Sequence, residues 1–86
     1  MIMTQVTLYT KDYCPYCVAA KELLASKEAA VEEINLTADP DTLGNLVEKT
    51  GQMTVPQIFI GDEFIGGFDD LKALDEAGEL DAKLAA

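Results

Sequence analysis

The only two cysteines of this 86-residue chain are separated by two residues, in the run Tyr13-Cys14-Pro15-Tyr16-Cys17. Two thiols at this spacing on a helix lie on one face, within reach of a disulfide bond. Cys14 is predicted to be the nucleophile, because it lies at the exposed start of that helix, where the helix dipole favours a thiolate. Cys17, one turn further in, is predicted to attack a mixed disulfide formed on Cys14. Lys11 adds a positive charge upstream.

Two structural roles for the cysteine pair are weaker alternatives. A permanent disulfide would close a very short loop, gain little entropy and sit in a reducing cytosol. A structural zinc site needs four ligands, and because the chain has two cysteines and no histidine, zinc could be held only between subunits. The lack of histidine also excludes Ser-His-Asp and Cys-His catalysis. We therefore predict redox chemistry and no metal site.

The chain is strongly acidic, with six lysines, no arginine and sixteen acidic residues, for a net charge of −10. Nucleic-acid binding needs clustered Lys and Arg, so nucleic acid is excluded as a partner and anionic membranes are disfavoured. The whole net charge falls in residues 31–86, which leaves the cysteine region as the part least repulsive to an anion. No apolar run is long enough for a transmembrane helix, and Met1–Gln5 lacks the features of a signal peptide. The expected location is cytoplasmic.

A strand and a helix must position the cysteine pair. Alternating residues predict a first strand over about 3–9, and apolar residues at helical spacing predict a helix from Pro15 to about Lys27. A proline is well suited to the first turn of a helix. Apolar residues between Val31 and Leu36 indicate a second strand. A strand, a helix and a strand in this order are typical of a parallel βαβ unit.

A second helix and a hairpin are predicted next. Asp39, followed by a proline, is typical of a helix N-terminus, and Gly51 of a helix end. Gly44 inside this helix conflicts with the prediction, since it costs about 1 kcal/mol relative to Ala. Strand-like runs over 57–60 and 63–65, joined by a Gly-Asp pair, predict an antiparallel hairpin.

A last helix is predicted near the end of the chain. Asp69 or Asp70 is expected to cap its N-terminus, and Gly78 to end it. Leu80 and Leu84 are expected to pack as its tail. The predicted order of elements is therefore β-α-β-α-β-β-α.

Three motifs together resemble the glutaredoxins, in particular the small bacterial dithiol type. They are Lys11 with Cys14-Pro15-Tyr16-Cys17, then Thr54-Val55-Pro56, and then Gly66-Gly67-Phe68-Asp69-Asp70. The resemblance implies one α/β domain over residues 1–86 with a thioredoxin-like fold, a four-stranded mixed sheet flanked by helices. It implies a monomeric glutathione-dependent thiol–disulfide oxidoreductase that reduces protein–glutathione mixed disulfides and protein disulfides, including that of ribonucleotide reductase.

The resemblance also implies a glutathione site beside the cysteines. In this family the proline corresponding to Pro56 is cis, and the exposed backbone of Val55 would pair with glutathione as a short antiparallel bridge. The N–H groups of Phe68 and Asp69 would bind the γ-glutamyl carboxylate, and Asp70 or Asp69 would accept from its ammonium group. Glutathione is implied as a co-substrate, with no tightly bound cofactor. The implied site residues are Lys11, Tyr16, Gln52, Thr54, Val55, Pro56, Phe68, Asp69 and Asp70.

Some of these residues have ordinary structural alternatives. Tyr16 would flank the bound glutathione, but it is also a candidate for surface packing. Asp69 and Asp70 are candidates for helix capping alone. Lys11 is implied to serve the glycyl carboxylate as well as the thiolate.

Two positions depart from the family pattern. Relatives usually carry Arg or Lys shortly before Thr-Val-Pro, where this chain has Gln52. Many also have a basic residue two positions after the second cysteine, where this chain has Ala19. Both departures remove positive charge near an anionic substrate, so weaker capture of glutathione is expected.

Two other functions remain as alternatives. The protein could be an electron donor recharged by thioredoxin reductase, although the Gly-Gly-Phe-Asp-Asp segment argues against it. It could also carry a [2Fe–2S] cluster between two chains, with Cys14 and glutathione as ligands. Pro15 and Cys17 argue against that function, because the relatives best suited to it have a monothiol Cys-Gly-Phe-Ser site.

Overall fold

The structure is a computed structural model and describes residues 4–85. This part of the chain forms four strands and four helices. The strands are β1 (Val6–Thr10), β2 (Val31–Asn35), β3 (Gln57–Ile60) and β4 (Glu63–Gly66). The helices are α1 (Pro15–Ser26), α2 (Pro40–Thr50), α3 (Phe68–Glu76) and α4 (Leu80–Ala85). The predicted order is confirmed through α3, and the short α4 follows it. Within residues 4–85, no helix combines the length and apolar character that crossing a membrane requires.

The first strand begins later than predicted. It was expected over 3–9 but starts at Val6, and Met3 lies outside the described residues. The backbone N–H of Thr4 donates to the carbonyl of Leu84, at 2.8 Å. Thr4 therefore bonds to α4, while the carbonyl of Gln5 accepts from the N–H of Gly61, directly after β3.

The strands form one mixed sheet in the order β2-β1-β3-β4. β1 pairs with β2 in parallel, with Val6 opposite Val31, and with β3 antiparallel, with Val6 opposite Ile60. β3 and β4 form the predicted antiparallel hairpin. Because β1 lies inside the sheet, the loop that follows it, which leads to Cys14 and α1, starts from a firmly held strand.

Helices cover both faces of the sheet, as the thioredoxin-like fold requires. On one face, Leu8 and Ile58 pack with Leu24 of α1 and Leu71 of α3, all fully buried. On the other face, a smaller cluster joins the sheet to α2 through the side chains of Leu36, Leu46 and Phe59. Successive residues of β3 thus face opposite layers, which holds this central strand in a single register.

The short helix α4 is anchored by apolar and ionic contacts. Leu80 and Leu84 are buried, which confirms the predicted packing of these two residues. Lys27, at the end of α1, bridges Asp75 and Asp81 at 2.9 and 3.1 Å. These hydrogen bonds, first with Asp75 and then with Asp81, raise the pKa of Lys27. One lysine therefore ties together the ends of α1, α3 and α4.

The helix α2 has the predicted ends. The Asp39 carboxylate accepts from the N–H of Thr42 at 3.1 Å, and Gly51 follows the helix with a φ of 74°. Gly44, which conflicted with the sequence prediction, lies on the exposed face of α2, where a Cβ would have no heavy atom within 4 Å. No contact in the structure explains why this position is glycine.

Gly44→Ala is expected to raise the free energy of unfolding by about 0.5–1 kcal/mol, because alanine fits the site and restricts the unfolded chain. Urea unfolding measures the change. The matched control is Gly51→Ala, which is expected to cost about 1–2 kcal/mol because its φ is positive. Destabilisation by Gly44→Ala would show that this glycine has a role that the contacts do not reveal.

Candidate active site

The cysteine pair occupies the N-terminus of α1. Cys14 is the N-cap residue, and its Sγ accepts from the backbone N–H of Cys17 at 3.1 Å. A disulfide joins the two residues, whose Cα atoms are 5.2 Å apart. Cys14 is half-buried and Cys17 is only 2% exposed. The predicted order of exposure is therefore confirmed, and the more exposed cysteine is the one at the positive end of the helix.

A loop between α2 and β3 brings a backbone carbonyl to the disulfide. The Val55-Pro56 peptide bond is cis, as the resemblance implied. The carbonyl oxygen of Val55 lies 3.9 Å from Sγ of Cys14. Pro56 is buried and Val55 half-buried, so a partly accessible stretch of backbone lies next to the reactive sulfur.

The N-terminus of α3 differs from the sequence prediction. Asp69 or Asp70 was expected at the N-cap, but Gly67 occupies that position. Asp70 is the third helical residue, and its carboxylate accepts from the N–H of Gly67 at 3.0 Å. Asp70 therefore stabilises the helix start from inside the helix. The N–H groups of Phe68 and Asp69 belong to the first turn, where an α-helix offers them no intrahelical acceptor, and so they can bind an anion.

One groove collects the predicted glutathione residues, with the exception of Lys11. Its volume is about 380 Å³. The ring of Tyr16 lies 6.3 Å from that of Phe68, so this tyrosine packs on a neighbour and also lines the groove. Gly67 also lines this groove but was not among the predicted site residues, although it belongs to the Gly-Gly-Phe-Asp-Asp motif from which part of the site was predicted. The lining residues are Tyr16, Gln52, Thr54, Val55, Pro56, Gly67, Phe68, Asp69 and Asp70.

The charge of this groove is unusual for an anion site. Its lining residues include the carboxylates of Asp69 and Asp70 and no cationic side chain. An anion in this groove would therefore depend on backbone N–H groups and on the N-termini of α1 and α3 for positive potential. Gln52 lines the groove as a neutral amide.

Lys11 lies elsewhere, in a second groove of about 520 Å³ that both cysteines also line. In this groove the Thr10 hydroxyl donates to the Glu33 carboxylate at 2.7 Å, and Lys21 pairs with the same carboxylate at 3.3 Å. The Thr10 bond first, and Lys21 in addition, hold the pKa of Glu33 below its usual value against the opposing effect of burial. The charge of Lys21 is thus partly neutralised by a fixed carboxylate.

Within residues 4–85, no three side chains of the His, Cys, Asp or Glu type cluster closely enough to hold a metal ion. The arrangement of the two cysteines suits dithiol chemistry. A sulfur at a helix N-terminus can ionise, a second sulfur can resolve its adducts, and an adjacent groove can orient the group attached to it.

The sequence matches known proteins along most of its length. The glutaredoxin family model matches residues 6–65. The glutaredoxin of Pseudomonas aeruginosa is 48% identical over 84 residues, which cover 98% of this chain and 100% of that protein. Glutaredoxin 3 of Escherichia coli is 45% identical over 82 residues, which cover 95% of this chain and 99% of that protein.

Solved structures resemble this fold closely. The solution structure of glutaredoxin from Brucella melitensis has a TM-score of 0.87 at 46% identity, and the match covers 99% of this chain and 92% of that one. A crystal structure of a buckwheat glutaredoxin–glutathione complex has a TM-score of 0.86 at 35% identity, and the match covers 92% of this chain and 74% of that one.

Proposed function

This chain belongs to the glutaredoxin family and is a thiol–disulfide oxidoreductase, and we propose that glutathione supplies its electrons and that protein–glutathione mixed disulfides are its substrates. The observation that carries the proposal is a groove with the N-terminus of α3 at one side and Val55 at the other, whose carbonyl oxygen lies 3.9 Å from Sγ of Cys14. The similar buckwheat glutaredoxin has been solved with glutathione bound, which supports the same ligand here.

In the proposed reaction the Cys14 thiolate attacks the glutathione sulfur of a mixed disulfide. A new bond forms between Cys14 and that sulfur, the old disulfide bond breaks, and the protein thiolate leaves and takes up a proton. A second glutathione thiolate then attacks the same glutathione sulfur, which releases oxidised glutathione and restores the Cys14 thiolate. In the dithiol route Cys17 attacks Cys14 instead, which releases glutathione and forms the disulfide seen in the structure.

Each part of the groove has a proposed role in holding glutathione. The N–H and C=O of Val55 pair with its cysteinyl unit, in the manner of an added strand. The N–H groups at the start of α3 bind the γ-glutamyl carboxylate, while Asp70 or Asp69 accepts from the ammonium group. Tyr16 flanks the ligand. Lys11 is proposed to serve the thiolate, because it shares a groove with Cys14.

Three further properties are proposed from family membership. The protein substrates include ribonucleotide reductase, the enzyme works as a monomer, and it works in the cytoplasm. The test for each is direct: reduction of purified oxidised ribonucleotide reductase, the molar mass in solution, and the location of the tagged protein in cells.

The proposed function is tested by reduction of a small glutathione mixed disulfide with glutathione and glutathione reductase, beside a parallel reaction with thioredoxin reductase. Fast turnover only with glutathione is expected. Turnover only with thioredoxin reductase would support the proposed roles of the two cysteines but overturn the proposed glutathione site. A brown, dimeric purified protein would instead favour a carrier of an iron–sulfur cluster.

Gln52→Arg is expected to lower the apparent KM for the mixed disulfide by about two- to fivefold, because a cation replaces a neutral amide in a groove without cationic side chains. The gain should shrink as salt is added. The steady-state KM at low and high salt measures both effects.

The matched control for Gln52→Arg is Met53→Arg, which adds the same charge at an exposed neighbouring residue that does not line the groove. An unchanged KM in Gln52→Arg would show that Gln52 does not limit substrate capture. An equal fall in both variants would assign the effect to net charge alone.

A further inference from the structure

Gln57 is a fully buried polar residue at the start of β3, directly after the cis proline. Its Nε2 donates to the carbonyl of Gln52 at 2.7 Å and to that of Thr54 at 3.1 Å. Its Oε1 accepts from the hydroxyl of Thr50 at 2.8 Å. Both amide hydrogens and the amide oxygen therefore have partners inside the protein, as a buried amide requires.

These hydrogen bonds converge on the loop that presents Val55. The two acceptor carbonyls belong to residues 52–56, which form neither helix nor strand. Thr50, the last residue of α2, adds a bond by accepting from the N–H of Gln52 at 3.2 Å. The network thus links the end of α2 and the start of β3 to the loop between them. The Gln57 backbone is fixed within β3, an interior strand of the sheet. The hydrogen bonds of its side chain therefore hold the loop at a fixed position relative to the sheet.

We propose that Gln57 is a positioning residue, which holds the Val55 backbone beside Cys14 and thereby sets the affinity for the glutathione part of the substrate. The inference rests on the proposed function, in which Val55 pairs with glutathione. Without Gln57, the carbonyls of Gln52 and Thr54 would lose the side chain that ties them to β3, and the loop would no longer be held in this position. Backbone pairing fails with small displacements, because hydrogen bonds weaken steeply with distance and angle. The Cys14 sulfur, held by α1, would keep its own reactivity.

The test is Gln57→Met, which keeps the length of the side chain and removes its hydrogen bonds. The KM for a glutathione mixed disulfide is expected to rise about tenfold, with little change in kcat. The rate at which iodoacetamide alkylates Cys14 is expected to stay the same, because that small reagent needs no backbone pairing. NMR order parameters should fall for residues 52–55 and stay at rigid values for 58–60.

Two variants separate positioning from general stability. Ile58→Val removes a methyl group from the next, fully buried residue of β3 and touches none of these hydrogen bonds. It is expected to lower the melting temperature without changing KM. Thr50→Val removes the hydroxyl from the network and should raise KM less than Gln57→Met does. The double variant should show a KM close to that of Gln57→Met alone, since both act through one network.

Unchanged KM and unchanged order parameters in Gln57→Met would overturn the inference, and so would an equal rise of KM in Ile58→Val. Failure of the proposed function is a separate result. If the wild-type protein does not use glutathione, increased motion confined to 52–55 would still show that Gln57 holds the loop. Rigid order parameters in that loop would show that it does not.

Discussion

Cys14→Ser is expected to abolish reduction of glutathione mixed disulfides, with a loss in kcat of about a thousandfold or more. A serine hydroxyl is not ionised at neutral pH, even at a helix N-terminus, and it cannot form a mixed disulfide. Cys14 is the half-buried member of the pair and lies beside the Val55 carbonyl, whereas Cys17 is buried. The measurement is turnover coupled to glutathione reductase, at enzyme concentrations matched by folded protein.

Cys17→Ser is the matched control, because it replaces the same kind of atom three residues away. It is expected to keep turnover of glutathione mixed disulfides and to lose reduction of protein disulfides, which needs two thiols. Mass spectrometry should also find a glutathione adduct on Cys14 that this variant cannot resolve internally. Full activity in Cys14→Ser, or loss of mixed-disulfide turnover in Cys17→Ser alone, would reverse the assigned roles.

Several of the predicted features that the structure confirms depend on residues close together in the chain. Asp39 caps α2 through an N–H three residues away, and Gly51 ends the same helix with a positive φ. The distance between Cys14 and Cys17 follows from the pitch of one helical turn. The cis bond before Pro56 was available only through the resemblance to a family, because local chemistry allows either isomer.

Three features that the sequence did not predict depend on how the chain folds around each residue rather than on residue type alone. Aspartate favours the N-cap, so the sequence predicts Asp69 or Asp70 there, yet Gly67 takes that position and the Asp70 carboxylate bonds from the third helical position. The burial of Gln57 arises only when the loop before β3 folds over it. In the same way, no local pattern shows that Lys11 and Gln52 line different grooves.

Gly66→Ala is expected to lower the free energy of unfolding by about 3 kcal/mol and to raise the KM for glutathione mixed disulfides. Gly66 has a φ of 117°, a conformation that alanine adopts only under strain, and its new Cβ would collide with the Asp70 carboxylate. Backbone strain costs about 1–3 kcal/mol, and overpacking costs a similar amount. The collision would also displace the Asp70 carboxylate from the N–H of Gly67 and so change the shape of the groove at the N-terminus of α3. Urea unfolding and steady-state kinetics measure the two effects.

Gly78→Ala separates strain from collision, because Gly78 also has a positive φ, of 75°, but a Cβ there would have no heavy atom within 4 Å. It is expected to cost about 1–2 kcal/mol and to leave KM unchanged. In an Asp70→Ala background, where the carboxylate is gone, the cost of Gly66→Ala should fall but stay above that of Gly78→Ala, because a φ of 117° lies outside the left-handed well that alanine can adopt. If its cost stays near 3 kcal/mol in that background, the collision with Asp70 is not the cause, and Gly66 is required for its backbone conformation alone.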